Sequence, residues 1–374
     1  MRGKRNLGLD LVRSCAIGLV LLSHWGDMGA AFFGTRSPPW LSYSGTFGVE
    51  LFFVLSGYLI GTLLLEIIER GPSWQAWGRF MVRRWMRTLP LYFLWLAILA
   101  VFWRPLNTPW AHYAAYTFFL QNWAWQMPAD NWFGVSWSLA IEEWFYLLFS
   151  VTLIGAALLV ARKQAVWLAL GLFLSIPFAC RLVAQHAFGL QDPSKITLLR
   201  LDAIAYGVAL ARLRWENRTL FHYPGLCLCA GIGLILCTWT QMYWNWLPLP
   251  EGLFSLIYLN AISIGFCLCI PGAIRLRNGS SWPALLVRRL SELSYGIYIT
   301  HLTILEVIAY GVAEHRISPI LATGLMISIP LLLAALSFHY IESPILARRP
   351  RQLFGSAPWH LAAEGGPLPA VRPQ

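Results

Sequence analysis

An arginine and a histidine, Arg13 and His24, sit inside a stretch from Leu9 to Met28 that is otherwise apolar and long enough to cross a bilayer. Eleven steps of 100° close about three helical turns, so the two side chains share one face, about 16 Å apart along the axis. Asp10 falls near the same line. Charge at membrane depth costs at least a few kcal/mol, roughly, unless it meets a partner or a wet cavity, so this face looks into a polar interior. An imidazole that stays neutral there is a proton acceptor, the group needed to draw a proton from a hydroxyl. Two plainer roles stand beside that one: Asp10 and Arg13 as a structural pair, and His24 as a headgroup-level residue.

Four more polar sets interrupt apolar segments. Arg84 and Arg87 are three apart at the entry to a span, following Arg79 and Arg83. Adjacent guanidiniums repel unless an anion bridges them, and their donor forks suit phosphate, although lipid headgroups would serve too. Ser138, Glu142 and Tyr146 follow at i, i+4, i+8 on one stripe, beside Glu143. Arg200 and Asp202, two apart, point to different sides and each requires a partner on another helix. Tyr298 and His301 share a face. For these last sets helix–helix hydrogen bonding within a bundle competes with any chemical role.

Composition sets the class. With 57% hydrophobic and 12% charged residues, too few groups remain to cover a water-facing surface, so the chain reads as an all-α polytopic integral membrane protein. Apolar runs give about ten transmembrane spans, at 9–28, 47–67, 88–104, 137–160, 165–186, 198–213, 225–243, 253–273, 294–313 and 319–342. The shorter, aromatic and amide-rich stretch 111–126 is expected to be re-entrant or interfacial. Ten spans place 21 of the 28 Lys and Arg in loops on the side of the N-terminus, leaving only Arg36, Arg104, Lys195 and Arg316 in the opposite loops, so both termini are expected in the cytoplasm. The net charge of +11 follows from that bias and from anionic lipid, and is no sign of nucleic-acid binding. No cleavable signal peptide is expected, because the first apolar run is too long for one. All seven cysteines fall in expected spans, and pairs two residues apart on a helix diverge, so neither metal nor disulfide is expected.

Taken together, Arg13 and His24; Gly45-Thr-Phe-Gly-Val-Glu50 through Gly57; Arg84-Trp-Met-Arg87; Ser136 through Tyr146; Arg200-Leu-Asp202; Leu293 through His301; and Tyr340-Ile-Glu342-Ser-Pro344 resemble, in order and from about residue 7 to 345, the membrane-bound acyltransferase-3 family. The resemblance implies a membrane acyltransferase domain over 1–345 in a bacterial cytoplasmic (inner) membrane, with 346–374 a disordered cytoplasmic tail. It implies O-acylation with acyl-CoA, acetyl-CoA above all, as donor and no bound cofactor. It makes His24 and Arg13 the essential pair of the first helix and assigns Arg84 and Arg87 to the donor. Two departures stand out. Leu302-Thr303 replaces a proline the family commonly shows two residues after the histidine, and no SGNH-type hydrolase domain is expected, which would leave the transfer to the chain itself or to a separate partner.

Acyl transfer from a thioester to a hydroxyl needs a base, oxyanion stabilisation and a positioned approach. His24 is the best base, with Glu142 expected to orient its ring. The aromatic and amide stretch 122–133, with Trp123, Trp125 and Asp130, offers ring faces and short polar groups suited to a saccharide or lipid-linked glycan at the outer face, though an interfacial aromatic belt explains many of these residues. Glu50, Ser138, Glu143, Tyr146, Arg200, Asp202, Tyr298 and His301 remain an acceptor-binding or structural polar set. A small hydrophobic acceptor such as a macrolide, or a transporter without catalysis, would fit the same composition.

Overall fold

The computed structural model describes residues 6–102, 109–128, 131–190, 192–216, 221–250 and 252–350, and every long element in it is a helix. Arg104, Asp130 and the expected tail beyond residue 350 lie outside the described residues. In chain order the helices are α1 (Leu7–Phe32), α2 (Pro39–Ser42), α3 (Ser44–Arg70), α4 (Trp74–Phe102), α5 (Trp110–Thr117), α6 (Ser136–Leu159), α7 (Arg162–Phe188), α8 (Leu201–Trp215), α9 (Pro224–Trp244), α10 (Leu253–Ala273), α11 (Trp282–Ala313), α12 (Pro319–Ser337) and α13 (Ser343–Ala347). Nine helical stretches among the described residues are long and apolar enough to cross a membrane, which makes this an all-α polytopic membrane protein.

The remaining expected span, 198–213, differs. Its helix, α8, has 15 residues and extends about 22 Å, short of a hydrocarbon core of about 30 Å. The cause lies just before it. Thr197–Leu199 is a 3-10 turn and Arg200 departs from helical geometry (φ −129°), so the chain enters the bundle as irregular backbone. The stretch after α5 runs beside it and supplies the missing partners: Thr197 N–H donates to the Asn122 carbonyl (2.8 Å), Leu198 N–H to the Trp123 carbonyl (2.9 Å), and Asn122 Nδ2 to the Lys195 carbonyl (2.6 Å). Non-helical backbone inside a membrane protein persists only when such bonds are made within the protein. The eight residues of α5 are too few to cross, whereas α8 is extended by the irregular backbone that precedes it.

α1, α3, α6, α8 and α11 form the centre. α3 and α8 approach so closely that a Cβ on Gly57 would lie 2.0 Å from the Ile204 carbonyl oxygen, and one on Gly207 2.1 Å from that of Val54. Small residues permit this contact where no hydrophobic drive separates helix from lipid. α7, α9 and α12 expose Leu172, Ile176, Val183, Leu226, Ile232, Leu236, Leu321, Ile327 and Leu332, a surface suited to acyl chains rather than water. The two ends of the described chain lie at the end of the bundle that bears the basic loops. Asn6 Nδ2 donates to the Ile274 carbonyl after α10, and Arg83 in the first third of α4 donates to the Pro350 carbonyl.

Candidate active site

A cavity of about 100 Å³ opens among α1, α3, α4, α6 and α11, lined by Arg13, Phe52, Ser56, Arg84, Arg87, Thr88, Ser138, Glu142, Tyr146, Tyr295 and Tyr298 among others. Five of the expected polar positions thus meet on one surface with Arg84 and Arg87 of α4. Pro90 removes an N–H from the ladder of α4 where this helix passes the cavity, and the Tyr295 hydroxyl donates to the Thr88 carbonyl in that turn (2.6 Å).

At its basic end, the Arg84 guanidinium lies over the Tyr146 ring, 5.1 Å from the centroid, and Arg84 Nε is buried with no hydrogen-bond partner among the described residues. The Tyr146 hydroxyl pairs with Ser56 Oγ (2.5 Å). Glu142 sits on this wall within the field of Arg84 and Arg87, whereas Glu143, one residue on and turned about 100° away, accepts from Thr88 Oγ1 at 2.6 Å. Arg87 and Glu342 act on each other electrostatically. Glu342 ends a π-helical turn, Phe338–Glu342, that follows α12. Arg349, just past α13, adds a further positive charge beside Arg83, Arg84 and Arg87, and burial together with Arg87 and Arg84 holds its pKa below the usual arginine value. Arg13 contacts Asp10 (3.9 Å) and donates to Ser291 Oγ (3.2 Å), which in turn donates to Asp10 (2.7 Å). The pair is therefore built into the α1–α11 contact while Arg13 still reaches the cavity.

At the opposite end, Ser138 Oγ and the Tyr298 hydroxyl share a hydrogen bond of 2.6 Å. The Tyr298 ring packs edge-on to Phe52 and, behind it, against the fully buried His301. His301 Nε2 lies 3.2 Å from His24 Nδ1, and the ring centroids are 5.1 Å apart. Glu142, expected to orient the His24 ring, is thus on the cavity wall with Arg84; the group against His24 is His301. A stripe on α6 specifies which residues share a face, not which neighbour that face meets. Beyond His24, Asp27 accepts from Ser37 and from Ser42 Oγ (2.5 Å), and Asp27 and Lys195 both act electrostatically on the imidazole.

The remaining polar set lies away from the cavity, in two buried ion pairs. Arg200 pairs with Glu50, whose second oxygen accepts from Ser263 Oγ (2.8 Å). Asp202 receives Arg181 in a two-pronged contact (3.0 and 2.6 Å), joined by Asn260 (3.0 Å). These tie α3, α7, α8 and α10 together. Trp123 packs on Trp144 (4.5 Å between centroids), and Trp125 is exposed at an apolar groove against the end of α7. Asn122 and Trp132 are buried. Only part of the expected acceptor platform is therefore surface. Asp27, three residues past His24 on the same face, and Glu342 in the Tyr340–Pro344 motif were within reach of sequence reading; Arg349 and the His301 contact carried no local signal.

Residues 6–339 match the acyltransferase domain model of the acyltransferase-3 family, and the chain belongs to that family. It is similar to YrhL of Bacillus subtilis strain 168, named as a candidate peptidoglycan O-acetyltransferase, at 30% identity over 90% of this chain and 54% of that protein. It is also similar to the peptidoglycan O-acetyltransferase OatA of Listeria monocytogenes serovar 1/2a, at 29% identity over 80% of this chain and 51% of OatA. A candidate O-acetyltransferase of Staphylococcus aureus strain COL matches at 27% over 90% and 56%. The chain spans about half the length of these relatives. No solved structure matches it significantly.

Proposed function

We propose that the chain is a membrane O-acyltransferase that moves an acetyl group from acetyl-CoA to a hydroxyl of a cell-surface or lipid-linked saccharide. The observation that carries this reading is the single polar track from Arg84 and Arg87, through a cavity, to Tyr298, His301 and His24. The donor's phosphates dock on Arg84 and Arg87, with Arg349 beside them, at the cytoplasmic end. Its acyl-pantetheine arm follows the cavity toward Tyr298, and the acceptor approaches His24 from the side of Asp27. His24 removes the hydroxyl proton as the acceptor oxygen attacks the thioester carbonyl. A C–O bond forms, the C–S bond breaks, and the proton returns to the departing thiolate. The relatives named as acting on peptidoglycan support a glycan acceptor.

The test is purified chain in nanodiscs with acetyl-CoA and a saccharide acceptor, following thiol release and ester mass together, alongside mass spectrometry of surface glycans from cells with and without the protein. His24→Ala abolishes both signals in an acyltransferase. A protein that transports without catalysis keeps uptake in that variant and shows no ester in either form.

A further inference from the structure

His301 Nδ1 lies 2.8 Å from the Tyr298 carbonyl oxygen and 3.1 Å from that of Ile297. Carbonyl oxygens only accept, so Nδ1 carries the proton, and a neutral ring has only one. His301 Nε2 is then a lone pair. It faces His24 Nδ1 at 3.2 Å, and two lone pairs do not bond, so His24 Nδ1 must hold the proton of its own ring, for which the Val20 carbonyl one turn back on α1 is a second acceptor. His24 Nε2 is left bare. The opposite direction, His301 donating from Nε2, would require an imidazolium that is fully buried and ion-paired with no carboxylate among the described residues.

We propose that His301 is a positioning residue that fixes the tautomer of His24, leaving His24 Nε2 as the one nitrogen of the pair that can take a proton. The inference rests on His24 acting as the base. This role explains why a histidine away from the cavity lining abuts the reacting one: its backbone bonds to the preceding turn of α11 set its own tautomer, and that tautomer sets the next. When His24 Nε2 receives the hydroxyl proton, the positive charge is shared with Nδ1–H and strengthens the bond to His301.

The experiment is nitrogen NMR of the full chain in nanodiscs with ¹⁵N-histidine, the His24 signals identified by their loss in His24→Gln. Both rings are expected as Nδ1–H tautomers. In His301→Leu, where only the Val20 carbonyl still accepts from the His24 ring, the Nε2–H tautomer should grow and kcat should fall by up to roughly 10²-fold, the low end of what a positioned base contributes, with KM for acetyl-CoA unchanged. His301→Gln, whose amide oxygen can accept from Nδ1–H, should restore most of the rate. A wild-type His24 protonated at Nε2, or a His301→Leu protein with unaltered tautomer or unaltered kcat, overturns the proposal. The wild-type spectrum decides the tautomer without substrate, so it stands even where His301→Leu misfolds. Expected tautomers in a chain with no acyl transfer would fail the proposed function and not the tautomer assignment.

Discussion

Arg87 offers the sharpest test of the proposed donor site, because a single substitution confounds the proposed phosphate contact with the field that Arg87 exerts on Glu342. A guanidinium holding phosphate contributes about 1.5–3 kcal/mol, so Arg87→Ala should raise KM for acetyl-CoA about 10- to 150-fold. The same change strips Glu342 of its cation. That carboxylate is 6% exposed, and burying it without the favourable field of Arg87 costs stability. Glu342→Gln removes the stranded charge. The double variant Arg87→Ala/Glu342→Gln should therefore regain thermal stability while its KM stays high. The assay pairs the unfolding midpoint with steady-state kinetics on two donors, acetyl-CoA and S-acetylpantetheine, which lacks the nucleotide and its phosphates. KM should rise for the first and hold for the second. Recovery of KM in the double variant would make Arg87 a structural counter-ion, and an equal response to both donors would mean that Arg87 holds no phosphate.

His24→Gln should abolish transfer while membrane insertion and the unfolding midpoint stay near wild type, since a neutral side chain replaces a neutral one; retained turnover would remove His24 as base. Arg200→Ala should destabilise the bundle by about 3–5 kcal/mol by leaving Glu50 buried and unpaired, and Glu50→Gln should recover part of that loss in a thermal-shift measurement. Gly207→Ala should reduce folded yield in detergent, because its Cβ would sit 2.1 Å from the Val54 carbonyl; normal yield would mean that α3 and α8 can part without cost. A cysteine at Ser37 should react with an impermeant thiol reagent added outside cells, and cysteines at Gly71 and Gly279 should not; labelling at Gly279 would reverse the orientation read from the basic loops.

Residue faces were legible from the sequence, and meetings between faces were not. Hydropathy located the long helices because a bilayer imposes length and apolarity on each span separately. It overreached at 198–213, where apolar residues continue through a turn whose backbone is satisfied by the 122–123 segment, a bond no single segment announces. Spacing showed that Arg200 and Asp202 need separate partners, but Glu50 and Arg181 could be matched to them only once α3 and α7 had been placed against α8. The same gap assigned Glu142 to His24. Glu342 illustrates a different effect. A helical wheel carried at 100° per residue from Pro319 assumes an unbroken α-helix, yet the π turn Phe338–Glu342 takes in an extra residue and rotates the chain beyond it by about 100°. Glu342 closes that turn, and its carboxylate lies in the field of Arg87. A charge at such a position marks a partner elsewhere in the bundle; backbone irregularity decides which one it meets.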